Sequence, residues 1–201
     1  MKKQQGNISI SAIVLLVIGA GIALYLVSIY NGLVTQSQAV NSSWAQVQTQ
    51  YQRRMDLIPN LVSTVKGEAN FEKSTLIDVI NARASATKVT LSPELLNNPD
   101  QFAQFQKTQG ELGSALSRLM VIVEKYPDLK TNAQFAQLMD EIAGTENRIA
   151  VARRDFNNTV QGYDTSIARF PTNMFASYFG FLHKEYFQAE ASAAQAPKVE
   201  F

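Results

Sequence analysis

The chain has 201 residues with 18 basic and 17 acidic side chains, a length that suits one domain of ordinary size plus an accessory segment. So even a balance offers no one-sign field for nucleic acid, and no nucleic-acid partner is expected. The lack of cysteine excludes a disulfide framework, a thiolate metal site, a thiol nucleophile and a lipidated N-terminal cysteine; the single histidine, His183, leaves no zinc pair and no Ser-His-Asp set.

Residues 1–7, "MKKQQGN", read as a short cytoplasmic N-terminus, and residues 8–30 as a transmembrane anchor. Ile8 to Tyr30 carries no charge, and at the helical rise it reaches about 34 Å, enough for a hydrocarbon core of about 30 Å. A cleaved signal peptide is the competing reading. The apolar run is longer than the usual h-region, and no small-residue cleavage site follows it directly, so a retained anchor is favoured. Lys2 and Lys3 precede the span, and the next basic residues are the distant Arg53 and Arg54. The positive-inside rule then keeps the N-terminus cytoplasmic and puts the remaining chain outside, periplasmic or extracellular. Gly19 and Ala23 form a small-xxx-small pair through which two anchors can touch.

From Val40 the apolar spacing alternates four and three: Val40, Trp44, Val47, Tyr51, Arg54, Ile58, Leu61, Val65. This is a helix seam, continuous with the anchor and extending to about Thr87. Ser92-Pro93 and Asn98-Pro99 both have the form of helix starts. A second helix, Pro99 to Lys125, carries Phe102, Phe105, Leu112, Leu116, Leu119 and Val123, and "YPDLK" reverses the chain. The third seam runs Phe135, Leu138, Ile142, Thr145, Ile149, Ala152, Phe156, Val160, Tyr163, Ile167, Phe170, and Pro171 ends it or marks a bend. With no β pattern competing, the fold class is all-α: an N-terminal transmembrane helix followed by an elongated antiparallel helical bundle of three to four long helices, residues 31–187. The segment after Pro171 is rich in aromatics. It reads either as a last helix folding back or as an exposed patch for lipid headgroups or another subunit, through Phe175, Tyr178, Phe179, Phe181 and Phe187. Residues 188–201 form a small, polar tail.

Polar residues sit on or beside these seams. Arg54 occupies a core-facing position flanked by Arg53 and Asn60, while Glu146, Arg153 and Asn157 share a stripe beside the third seam. A buried guanidinium without a carboxylate costs several kcal/mol, so Arg54 should pair with Glu146 or with Glu124 at the end of the second helix. Such a pair fixes helix register where apolar seams alone would slide. Pro59 removes the hydrogen bond to the Met55 carbonyl; it either bends the helix, freeing that carbonyl for an Arg or Asn side chain, or marks a new helix with Asp56 as its N-cap. Asp56, Glu124 and Glu146 are also the candidates for acid–base chemistry, but long thin bundles rarely supply the cleft that such chemistry needs.

The stretches "YNGLV", "WAQVQTQYQRRMDLIPNLVSTVKGEANFE", "EKYPDLKTNAQFAQLMDEIAGTENRIAVARRDFN" and "RFPTNMFASYFGF" closely resemble the LemA family, from Tyr30 to about Phe187. Phe156 stands where that family often has Tyr, and Asp164 where it often has Asn. The resemblance implies a transmembrane segment followed by an antiparallel helical bundle, and it implies no reaction, cofactor or metal. The expected function is a non-enzymatic, membrane-anchored scaffold or adaptor of the bacterial cell envelope, working by self-association or by binding another envelope protein. The alternative is a sensory bundle that relays ligand binding through its single membrane helix to a second membrane protein.

Overall fold

The computed structural model describes residues 10–67 and 71–188; Lys2 and Lys3, on which orientation rests, and the tail from Ala189 lie outside the described residues. The chain order is α1 (Ile10–Lys66), α2 (Lys73–Ala86), a 3-10 turn (Pro93–Asn97), α3 (Pro99–Val123), α4 (Pro127–Thr131), α5 (Ala133–Ala168) and a second 3-10 turn (Thr172–Met174). α1 has 57 residues, a rod of about 85 Å. Its first half is apolar and uncovered by the rest of the protein, and its second half is the central helix of the bundle.

α1 ends at Lys66, short of Thr87. A glycine follows the last basic residue, as helix stops often have it, and the Gly67 N–H closes a tight final turn on the Thr64 carbonyl at 3.3 Å. The chain then returns as α2, which packs chiefly on α3 and buries Leu76 and Val79. Asn98 caps α3, its side chain accepting from the Gln101 N–H at 3.0 Å; Asn132 does the same for α5 through the Phe135 N–H at 3.1 Å. Ser92-Pro93 opens the 3-10 turn rather than an α-helix.

α1 runs through Pro59 without restarting, so Asp56 is not an N-cap. The Met55 carbonyl that Pro59 leaves open accepts from Arg83 Nε of α2 at 3.1 Å, tying α2 to α1. Arg83→Ala is expected to cost about 1 kcal/mol in thermal unfolding of the detergent-solubilised chain. In a Pro59→Ala background that cost should vanish, because the new backbone N–H bonds the same carbonyl. An equal cost in both backgrounds would assign Arg83 another role.

The seams of α1 and α3 are buried at every apolar position expected. That of α5 is buried through Ile167, but the helix ends at Ala168 and swings Phe170 out to 79% exposure. The buried residues form two clusters. The one distal to the anchor joins Met55, Ile58, Leu61 and Val65 to Leu112, Leu116, Leu119, Ile142 and α2. The proximal one joins Leu33, Val40, Trp44, Val47 and Tyr51 to Phe102, Phe105, Phe156, Val160 and Tyr163. Between them, at one level, lie Arg54, Gln109 and Thr145.

Among the described residues no α-helix follows Pro171. After the second 3-10 turn the chain makes further turns to Gly180, whose φ of +80° suits a residue without a Cβ, and residues 181–188 then run back as an irregular strap over the bundle.

Candidate functional site

The boundary between the two clusters is polar. Arg54 is 2% exposed; its Nη1 donates to Glu146 Oε1 at 2.8 Å, and its Nη2 donates to the Gln109 carbonyl at 3.3 Å and to Gln109 Oε1. The guanidinium also lies 5.1 Å from the Tyr51 ring centroid, close enough for a cation–π contact. Arg54 Nε is buried without a hydrogen-bond partner among the described residues. The Glu146 side chain is 40% exposed, so water reaches one side of the pair and lowers the penalty of burying the other. Outside it opens a cleft of about 870 Å³ between α3 and α5, lined by Arg54, Gly110, Gly113, Glu146, Arg153 and Gln188.

The other expected members of the network separate from this layer. Arg53, Asp56 and Asn60 stand exposed on the outer face of α1. There Arg53 lies 3.9 Å from Glu141 and Asp56 accepts from Gln52 at 2.8 Å, contacts worth little in solvent. Glu124 is the exposed C-cap residue of α3, fifteen residues beyond Gln109 and hence about 22 Å along the helix, so the partner of Arg54 is Glu146.

Arg153 and Asn157 hold the strap. The Asn157 side-chain amide donates to the Phe187 carbonyl and accepts the Phe187 N–H, both at 2.9 Å, so it pairs with that backbone as a neighbouring strand would. Arg153 donates to the Gln188 carbonyl at 2.9 Å, its guanidinium 4.7 Å from the Phe187 ring, and the Gln188 N–H reaches Gln106 Oε1 at 2.9 Å. Phe187 is a core residue, not a surface one. Its ring centroid lies 5.1 Å from Phe102, 5.6 Å from Phe156 and 6.1 Å from Trp44. Of the other expected interface residues, Phe179 and Phe181 pack edge-on against Tyr30 at 5.4 and 5.7 Å, Phe175 is half-buried against Phe179, and Tyr178 is 86% exposed.

Sequence reasoning missed Gln106 and Gln109, polar residues beside an apolar seam with no charge to mark them. It also missed the anchoring role of Asp164. That carboxylate accepts the Lys184 N–H at 3.3 Å and lies 3.4 Å from His183 Nδ1, while the Lys184 ammonium donates to Asn97 Oδ1 at 2.6 Å. Beside it the Tyr163 hydroxyl donates to the Leu182 carbonyl at 3.0 Å, and burial, aided by Asp164, pushes that phenol up to about 12.

A phenol whose folded value is raised contributes stability that is complete below its unfolded value near 10 and disappears as pH climbs through about 12. Tyr186 is raised too, by burial and Asp164, whereas burial lowers Lys184, which acts in the opposite sense. Comparison with Tyr163→Phe isolates the first contribution. The parent should lose more stability than the variant between about pH 10 and 12, and the variant should lack the last phenolate to form in an absorbance titration. Superimposable profiles would show that Tyr163 does not hold the strap through its hydroxyl.

The model of the LemA family matches residues 43–201, most of the chain and all of the bundle from Ser43 onward. The chain belongs to the LemA family. Among LemA-family relatives it is 27% identical over 186 residues to a protein named magnetosome protein MamQ 2 of Paramagnetospirillum magneticum, covering 85% of this chain and 68% of the relative. It is 28% identical over the same length to magnetosome protein MamQ of Magnetospirillum gryphiswaldense, and 23% identical over 159 residues to protein LemA of Metamycoplasma hominis, with 79% of this chain and 68% of that one covered. This LemA-family chain is helical and membrane-associated: among the described residues its one candidate membrane span is the uncovered apolar half of α1. Among the described residues no group of three or more His, Cys, Asp or Glu is placed to hold a metal ion.

Proposed function

We propose that the protein is a membrane-anchored scaffold or adaptor of the bacterial cell envelope that acts by contact, with the α3–α5 cleft as the place of contact. The observation that carries this reading is the unbroken α1, which makes the anchor and the floor of the cleft one rigid element. The carboxylates that acid–base chemistry would require also lie apart: Glu146 is committed to Arg54, Asp56 sits on the outer face of α1, and Glu124 caps α3. A separated set of this kind supports a fastening role over catalysis. The same unbroken helix gives the sensory alternative its one favourable observation, since a ligand pressing on Arg54 would press on the anchor's own helix.

The chain has no cysteine, so a single introduced thiol is a unique handle. Ser114→Cys on the cleft rim, carrying a photoreactive crosslinker in membranes, should yield a defined adduct with a second copy or with one envelope protein. Val151→Cys, away from the cleft and 46% exposed, should not. A native mass that stays monomeric after extraction, with no adduct from either position, would reject the scaffold reading.

A further inference from the structure

We propose that the turn between α5 and the strap, residues 169–182, is seated in the headgroup layer of the bilayer that α1 crosses. Phe170, Met174, Tyr178 and Leu182 would be its contact side chains. The register of the two long helices sets the height of this turn. Trp44 of α1 meets Phe156 of α5 at 5.5 Å, and ten residues further along α1 Arg54 meets Glu146, ten residues back along α5. Continued toward the anchor, this antiparallel register puts Leu33 level with Ile167 and Tyr30 level with Phe170. Tyr30 is the last residue of the apolar run that begins at Ile8. The chain therefore passes the end of the span at Phe170 and comes back to it where Phe179 and Phe181 pack on Tyr30.

Four apolar side chains of this turn are unused by the core: Phe170 is 79% exposed, Met174 63%, Tyr178 86% and Leu182 54%. Through the Tyr30 contacts they adjoin a helix segment whose apolar surface is likewise uncovered. Aromatic side chains with a polar edge collect at this depth of a bilayer, and Tyr178 and Tyr30 are of that kind. Exposed Arg169 and His183 bracket the turn with groups that headgroup phosphates accept. Bilayer is preferred over a second copy as the occupant because the patch adjoins the membrane-facing surface of α1.

The only tryptophan, Trp44, is buried and fourteen residues above Tyr30, about 21 Å from the membrane edge and beyond contact quenching. Tyr178→Trp, at a position too exposed to disturb packing, therefore adds an indole that alone can report on lipid. The full chain is reconstituted into phosphatidylcholine vesicles brominated either near the glycerol end or near the methyl end of the acyl chain. The introduced indole should be quenched several-fold more than the parent, and more by the shallow bromines than by the deep ones; Phe170→Trp should give the same order. Quenching no greater than the parent's overturns the placement, whether the emission is red, as in water, or blue, as under a protein partner. Deep quenching equal to or above shallow also overturns it. Parent chain that fails to float with the vesicles overturns the anchor and this placement together, while leaving the cleft crosslink of Ser114→Cys as a separate test.

Discussion

Phe187→Ala should destabilise the membrane-proximal half of the bundle by about 3 kcal/mol, the low end of the range for deleting a buried phenylalanine ring. The ring touches Trp44, Phe102, Phe105 and Phe156, four aromatic residues drawn from three helices. The aromatic cage loses contact on one side when the ring goes. The loss is capped by a second process. Once the cavity costs more than the strap gains by docking, residues 181–188 leave together, and no further penalty is registered. The variant should therefore combine a lowered melting temperature with rapid tryptic cleavage at Lys184, a cut the parent should resist. Phe187→Leu should lie between the two, and Asn157→Ala should cost about 1 kcal/mol by losing hydrogen bonds while keeping the wedge. Parent-like stability and protease resistance in Phe187→Ala would show that the strap is held elsewhere.

The second large effect concerns the polar layer. Glu146→Gln leaves the buried Arg54 guanidinium without its counter-charge, at an expected cost of about 2 kcal/mol. That is below the figure for a fully buried pair because the carboxylate is partly in water. Arg54→Met removes the charge itself and fills its place with a flexible apolar chain. In the Arg54→Met background, Glu146→Gln should be nearly neutral, so the double-mutant cycle should return a coupling close to the whole cost of the single change. The same variants separate fastening from chemistry. A fastener loses function only as its melting point falls, whereas a reagent loses function at an unchanged melting point.

Much of this architecture was legible in the chain itself. The four-three spacing located the faces of α1, α3 and α5, and the one charged residue on the α1 seam, Arg54, could be matched to a carboxylate because burial left it no alternative. Two kinds of feature were not legible. Periodicity cannot distinguish a helix that runs past Gly67 from one that turns back there, since both preserve an apolar face; only packing on α3 decides it. Nor does periodicity describe residues 171–188, where the aromatics have different fates: Phe187 wedges into the core, Phe179 and Phe181 lean on Tyr30, and Tyr178 faces outward. The segment's partners are side-chain amides and carboxylates of α5, α3 and the first 3-10 turn, at sequence distances of 20 to 87 residues, which no local pattern encodes.

The unbroken backbone from the span into the bundle has a geometric corollary. Each residue of an α-helix advances about 1.5 Å and turns about 100°, so the turn of α1 just before Ile29, where contact with the bundle begins, acts like a screw thread. Inserting a single residue there would lift the extracted half by little more than an atom's width, yet would swing the cleft and the 169–182 turn through more than a quarter of a circle. Seven inserted residues would restore the bearing to within about 20° while raising everything by about 10 Å. Distance from the bilayer and compass direction are thus locked to one another, and length changes in this neck are tolerable only in steps that nearly complete whole turns.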